Sequence, residues 1–347
     1  MAGKSNTHKM KRADKLIRIQ KALDALSSHE TECRLCPRAC GANRQNGEKG
    51  FCQSGNLASV SHTLLHYGEE PVLSGFPSQA GKKTGNTGQP AGSGTIFFSG
   101  CNLKCLFCQN YQLSWLNQGM PVTDEELALM MLELQEKDAL NINLVSPGHI
   151  ILPILRALKM AVQEGLSIPI VFNSNAYEKV EVIGCLEGII DIYLPDLKYF
   201  SPGLSSRYSA APDYFLHASQ AILEMYCQQP TLRLSERNTA LEGLIIRHLI
   251  LPGETADSLA VLEWIAHDLS PYACLSLMSQ YHPCHQAPQE IQRNISPEEY
   301  NVVKNKAEEL GFQTLFLQPE PFSGEEHLIP DFNLKSPFNW PQTKKSI

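Results

Sequence analysis

Three cysteines, Cys101, Cys105 and Cys108, stand at C-x-x-x-C-x-x-C spacing in the run GCNLKCLFCQN, directly after the apolar, strand-like stretch Thr95 to Ser99. Three thiolates on one short loop can hold three corners of a 4Fe-4S cube and leave the fourth iron open to a substrate or cofactor. An electron-transfer ferredoxin avoids an open iron, so the spacing points to a catalytic cluster. A tetrahedral zinc site closes with four ligands, usually two close pairs, and this loop brings three unevenly spaced cysteines with no histidine beside them. Phe107, just before the last cysteine, is placed to shield such a cluster from water.

A second set, Cys33, Cys36, Cys40 and Cys52, falls in CRLCPRACGANRQNGEKGFC. Four thiolates in a short Gly-rich segment with little core of its own imply a metal-organised knuckle. Pro37, Gly41, Gly47 and Gly50 permit the turns that ligation needs. Zinc and an auxiliary iron-sulfur cluster both fit this set, and free thiols are the bland alternative. His62, His66, Glu69 and Glu70 follow in HTLLHYGEEP and are placed to line the approach from knuckle to main domain.

Short β-branched and aromatic runs then alternate with helical patterns, the sign of repeated βα units around a parallel sheet. Strands are expected at Thr95 to Ser99, Asn141 to Val145, Ile168 to Asn173, Ile189 to Leu194, Leu244 to Leu251 and Ala273 to Ser279. Thr123 and Glu126 read as a capping box ahead of Leu127, Met130, Met131 and Leu134 at helical spacing. Ser296, Pro297 and Glu299 open a further helix, with Gly311 just past its end. Functional loops of such folds gather at the carboxyl ends of the strands, where the first cysteine set sits. The strand residues Arg247 and His248 must face opposite ways, Arg247 as an anion contact and His248 as a core histidine. Cys185, Cys227 and Cys274 read as small hydrophobes.

The flanking text resembles the radical S-adenosylmethionine superfamily, and within it the PflX-like group similar to pyruvate formate-lyase activating enzyme. The runs that carry the resemblance are GSGTIFFSGCNLKCLFCQNYQLS, NINLVSPGHI, DIYLPDLKYF, IIRHLILPG and LMSQY, between about Cys33 and Gln318. The fold it implies is α/β, a partial (βα)6 TIM-like barrel behind an N-terminal cysteine-rich metal-binding segment. The activity it implies is reductive cleavage of S-adenosyl-L-methionine to a 5'-deoxyadenosyl radical. Its implied partners are an electron donor such as flavodoxin or ferredoxin and a glycyl radical enzyme as protein substrate.

By the same resemblance Asp196 and Lys198 of LPDLK match an Asp-x-Lys pair that contacts the nucleoside. Where related enzymes carry Gly-Gly-Glu for the amino group, this chain has Asn143 through His149, and Ser146 with nearby carbonyls takes that place. Asn173, Ser174 and Asn175 stand at a strand end where a Thr-Asn-Gly type turn occurs, and Asn173 is the expected contact. Gln280, Tyr281 and His282 fall where a nucleoside-contacting histidine occurs, which makes His282 or, one residue earlier, Tyr281 the candidate.

The chain has 347 residues, 43% of them hydrophobic, and a net charge of -7, which speaks against the broad basic face that binds nucleic acid. No apolar run approaches the roughly twenty residues that span a bilayer, and no signal-peptide core follows Lys4, Lys9, Lys11 and Arg12. Eleven cysteines without a secretory signal suggest a reducing compartment, the cytoplasm. The organisation expected is a basic tail and amphipathic helix at 1-30, the cysteine-rich segment at 31-75, a flexible Gly/Ser/Thr/Pro loop at 76-94, the barrel at 95-318 and a tail at 319-347. A metal-binding scaffold without turnover is the rival from another functional class.

Overall fold

The computed structural model describes residues 3–75, 92–318 and 329–338. Most of the expected loop at 76-94 and most of the tail at 319-347 lie outside them. The strands are β1 (Ala58–His66), β2 (Ser93–Phe98), β3 (Met120–Val122), β4 (Ile142–Val145), β5 (Ile170–Ser174), β6 (Ile192–Pro195), β7 (Arg233–Leu234), β8 (Ala240–Leu249), β9 (Cys274–Met278) and β10 (Leu315–Leu317). They form one mixed sheet in the order β10-β9-β8-β6-β5-β4-β2-β1-β3, with β7 beside β8. Every pair from β2 through to β10 along that path is parallel, whereas β1 runs antiparallel to both β2 and β3.

The helices are α1 (Gly3–Leu26), α2 (Pro71–Ser74), α3 (Tyr111–Ser114), α4 (Asp124–Glu136), α5 (Ile151–Glu164), α6 (Val180–Gly184), α7 (Pro202–Ser209), α8 (Tyr214–Gln228), α9 (Thr255–Trp264) and α10 (Pro297–Glu309). All six expected strands are present, as β2, β4, β5, β6, β8 and β9, with helices between successive parallel strands. Both capping boxes form: Thr123 Oγ1 accepts from Glu126 N and Ser296 Oγ from Glu299 N, each at 3.2 Å, and the glutamates reach back to the cap N–H groups. Gly311 takes φ +75° just beyond α10, the left-handed residue a helix end of this kind favours. Among the described residues no helix is long and apolar enough to cross a membrane.

Side-chain alternation divides the sheet into two different faces. Leu144, Phe172, Tyr193, Ile246 and Leu275 join the helices in one large core. Val171, Ile192, Leu194, Ile245 and Cys274 point the other way and pack with Val72 and Leu73 of α2. Parallel strands buried on both sides read as nearly unbroken apolar runs, which explains why these strands are so visible in the sequence.

The peptide that enters α2 brings two carboxylates onto this second face. Glu70 accepts from Arg247 Nε at 2.8 Å and Nη2 at 2.5 Å, and Glu69 also accepts from Arg247 Nη2. Glu69 Oε1 takes a further hydrogen bond from Asn143 Nδ2 on β4 at 3.0 Å and lies 3.3 Å from His66 Nδ1. Leu73 O accepts from Asn141 Nδ2 at 2.9 Å. One short peptide is thus fastened to β4 and β8, strands with two others between them.

His248 faces the opposite side, as alternation requires. Its Nδ1 bonds Leu197 O at 2.7 Å and its Nε2 bonds Ser258 Oγ at 2.9 Å, so it is a satisfied core histidine. Burial drives its pKa down to about 4 from 6.5, the value it regains on unfolding. Its stabilising contribution is complete above the unfolded pKa and is lost as pH falls through the folded one, about 3 kcal/mol at full titration. Denaturant titrations between pH 6.5 and 4 should show His248→Asn with a flatter dependence than the unaltered protein, by up to about 1.4 kcal/mol per pH unit.

Candidate functional site

β2 ends at Phe98, and the chain turns through Gly100 at φ +85° into the first cysteine set. A Cβ on Gly100 would stand 2.6 Å from Cys52 O and 2.6 Å from Ser54 Oγ, so both conformation and space demand glycine here. Each of the three sulfurs that follow receives a hydrogen bond. Cys101 Sγ accepts from Asn175 Nδ2 and from Leu103 N, both at 3.4 Å. Cys105 Sγ accepts from Ser209 Oγ at 3.0 Å and Cys108 Sγ from Ser114 Oγ at 3.1 Å. Donors come from β5's end, α7 and α3, three elements far apart in the chain, and converge on one loop.

Burial pushes the Cys101 and Cys108 thiols up to about 12, and the closeness of Cys105 adds to both shifts. Cys105 is raised too, by burial, against the pull of Lys198. Buried or half-buried thiols with donors already aimed at sulfur suit thiolate ligation, because a bound metal replaces the proton and the donors stabilise the charge left on sulfur. Phe107, beside the last cysteine, is buried against Tyr208 and Tyr281, at centroid distances of 6.3 and 5.6 Å.

Asp196 and Lys198 lie beside Cys105, joined by a bond of 2.6 Å from Lys198 Nζ to Asp196 Oδ2. Burial disfavours the lysine's charge, but Asp196 and then Cys105 outweigh it and hold Lys198 above its ordinary value. The Tyr214 hydroxyl fixes the loop that carries them, accepting from Lys198 N at 3.0 Å and facing Asp196 O at 2.6 Å and Asn175 O at 2.9 Å.

The other expected contacts divide. Asn175 rather than Asn173 turns to the cysteines, and its Nδ2 also holds Asn102 Oδ1 at 2.7 Å. Asn173 accepts at its carbonyl from Ser146 N at 2.8 Å, which joins the ends of β4 and β5. Ser146 is held at φ +55°, a left-handed conformation unusual for serine, where the strand end bends toward His149. Tyr281 is committed to packing on Phe107 and donates to Ile291 O at 2.8 Å. His282 keeps a buried Nδ1 without a hydrogen-bond partner, so of this pair it retains a group to offer.

The amino-terminal cysteines dock against the same loop. Arg38 donates from Nε to Asn102 O at 2.9 Å and from Nη1 to Ala210 O at 2.6 Å. Arg44, itself buried, reaches Cys52 Sγ at 3.4 Å and His149 O at 2.6 Å. Cys33, Cys36 and Cys52 are buried and Cys40 is exposed. Among the described residues no group of three or more His, Cys, Asp or Glu side chains is gathered closely enough to hold a single metal ion. One zinc needs its sulfurs within about 3.8 Å of each other, whereas a cube binds each thiolate through a different iron and spaces them wider.

Ser114 and Ser209 were not legible as site residues. Ser209 is 101 residues beyond Cys108 in the chain, and a serine in a helix carries no sign of its target. Arg38 and Arg44 sit among the first cysteines, and that proximity alone could have flagged them.

No family model matches the chain. It is 30% identical over 299 residues, 82% of this chain and 76% of the relative, to a protein of Methanocaldococcus jannaschii named uncharacterized protein MJ0674. Among solved structures, that of methylornithine synthase (PylB) matches 65% of this chain and 70% of its own, with a TM-score of 0.41 and 13% identity. A likeness that distant carries no functional argument.

Proposed function

We propose that this chain, which belongs to the family of the archaeal protein MJ0674, is a radical S-adenosylmethionine enzyme. The observation that carries the reading is the set of three thiols, Cys101 buried and Cys105 and Cys108 half-buried, each with its own hydrogen-bond donor, at the carboxyl end of a parallel strand beside the Asp196–Lys198 pair. Cys101, Cys105 and Cys108 would hold a 4Fe-4S cluster, and Asp196, Lys198, Ser146, Asn173 and His282 are the proposed contacts for the amino acid and nucleoside parts of S-adenosylmethionine. Bound together, cluster and S-adenosylmethionine supply reductive cleavage to methionine and a 5'-deoxyadenosyl radical.

The chain's own residues set the conditions for that chemistry. Asp196 offers a carboxylate to ribose hydroxyls, and the bond from Lys198 fixes its orientation. Phe107 and Tyr281 exclude water from the cysteine loop. Asn175, Ser209 and Ser114 hold the sulfurs in place by hydrogen bonds that persist whether thiol or thiolate is present.

The finer fold that supports this is a partial barrel, since Glu69 bridges β4 and β8, which a flat sheet would hold about 14 Å apart. Of the two metals the sequence left open for Cys33, Cys36, Cys40 and Cys52, an auxiliary cluster is proposed rather than zinc, since these cysteines are not gathered as a single-ion site; it is set against the first through Arg38 and Cys52. Eleven unpaired cysteines support a reducing, cytoplasmic setting. A small flavodoxin- or ferredoxin-like protein is the proposed reductant. A glycine of a partner enzyme as hydrogen donor rests on the sequence resemblance alone.

The test is anaerobic incubation of reconstituted protein with dithionite and S-adenosylmethionine. Formation of 5'-deoxyadenosine and methionine is expected; their absence from a sample with a full complement of iron and sulfide favours the scaffold without turnover. Ser209→Ala should keep its iron yet lower the reduction potential by about 40 mV, the equivalent of one hydrogen bond of about 1 kcal/mol. Electrochemical titration reads this directly.

A further inference from the structure

The second face of the sheet carries an electrostatic imbalance that the proposed radical chemistry leaves unused. Among the described residues, Glu69, Glu70 and Asp196 face only two cations, Arg247 and Lys198, and Lys198 is taken by Asp196. Glu70 is saturated by Arg247 and by Ser276. Glu69 gives Oε2 to Arg247 and Oε1 to Asn143 and His66, which leaves Oε2 a lone pair for a further donor. His66 does not make good the missing charge at neutral pH, because burial holds it below its ordinary value despite Glu69.

A second observation falls on the same spot. Asn143 is completely buried, and its Oδ1 has no hydrogen-bond partner. Its orientation is settled by chemistry: the amide nitrogen must face Glu69, which can only accept, so the carbonyl is the orphan. A buried carbonyl without a donor is destabilising, and it lies on the amide that touches the underused carboxylate. Both ask for the same thing, a positively charged N–H donor.

The position fits a substrate rather than a fastening. Leu197 N donates to Arg247 O at 2.8 Å, which ties Arg247 to the strand end that bears Asp196 and, through it, Cys105. By strand register Asn143 lies level with Val171 and Ile192, two same-face positions beneath Asp196, and Glu69 bonds to it there.

We propose that Glu69 and Asn143 form the subsite for a protonated amine of the hydrogen-donating substrate, with Glu70 and Arg247 holding Glu69 in position. This rests on the reading of the chain as a radical S-adenosylmethionine enzyme. The substrate class is then an amine or amine-bearing side chain whose abstracted hydrogen lies above the ammonium, toward the cysteine loop.

Calorimetric titration of the anaerobically reconstituted full chain with n-butylammonium, n-butanol and n-butyrate tests it. The ammonium should bind once per chain and roughly tenfold or more tighter than the isosteric alcohol, with no binding of butyrate. Glu69→Gln should weaken the ammonium roughly tenfold, and Asn143→Asp, which puts a carboxylate in place of the orphan carbonyl, should tighten it. Tightening cannot come from misfolding, so it decides the matter even where Glu69→Gln is unstable. Equal affinity for all three probes, a preference for butyrate through Arg247, or ammonium binding that ignores both substitutions overturns the subsite. Production of 5'-deoxyadenosine by protein that ignores ammonium sinks this inference alone, while ammonium binding without 5'-deoxyadenosine sinks the enzymatic reading alone.

Discussion

Changing Cys105 to alanine should reduce 5'-deoxyadenosine formation to background and strip the iron and sulfide of the catalytic cluster, measured by metal analysis and by product chromatography on the same sample. Cys105 sits between the other two sulfurs and the Asp196–Lys198 pair, and Lys198 owes part of its retained charge to it. Its loss therefore removes a ligand and loosens the proposed cofactor contact together. Cys101→Ala and Cys108→Ala should match it, because a cube left with two protein ligands has lost a third of its anchoring and is open to solvent and oxygen. Cys185→Ala is the control: its thiol is only partly buried against the helical core, and iron and product should stay at the unaltered level. Equal loss in all four variants would mean that general instability, not ligation, is being read.

Arg247→Met should be the most destabilising single substitution away from the cysteines, at about 3–5 kcal/mol by denaturant unfolding. Among the described residues it removes the only cation that meets both Glu69 and Glu70, and it leaves two carboxylates in a buried place. Attraction by Arg247 holds Glu70 below the ordinary carboxylate range although burial pushes the other way, so without the guanidinium Glu70 is left with the burial penalty alone. Replacing Glu69 and Glu70 by glutamine in the same chain should return most of the loss, since the cost lies in orphaned charge rather than in missing packing. Failure of the triple variant to recover would place the defect in the packing of α2 instead.

Much of this fold was legible because parallel strands buried on both faces leave long β-branched runs such as IVFN and GLIIRHLI, and because helix starts carry side-chain caps. β1, β3, β7 and β10 were not foreseen. The segment Ala58–His66 is half-buried, with polar residues at Ser59, Ser61 and Thr63, and a strand whose partner lies beyond a long connection shows no local turn signal. In the site, cysteines and the Asp196–Lys198 pair announced themselves by spacing. The sulfur donors Ser114, Ser209 and Asn175 did not, because a single hydroxyl or amide gains its meaning only from what folding brings near it. Asn173 and Asn175 differ by two positions on one strand end, and only the bend after β5 decides which amide meets Cys101.

The bond between Glu69 and Arg247 spans 178 residues. A ribosome adding about 5–20 residues per second exposes the two glutamates roughly 10–35 s before their guanidinium has been made. During that interval the peptide that seats Val72 and Leu73 has neither counter-ion nor hydrophobic seat, and water must solvate it. Completion of this face is therefore a late event of synthesis, and the amino-terminal fifth of the chain reaches its final position only after most of the protein has been made.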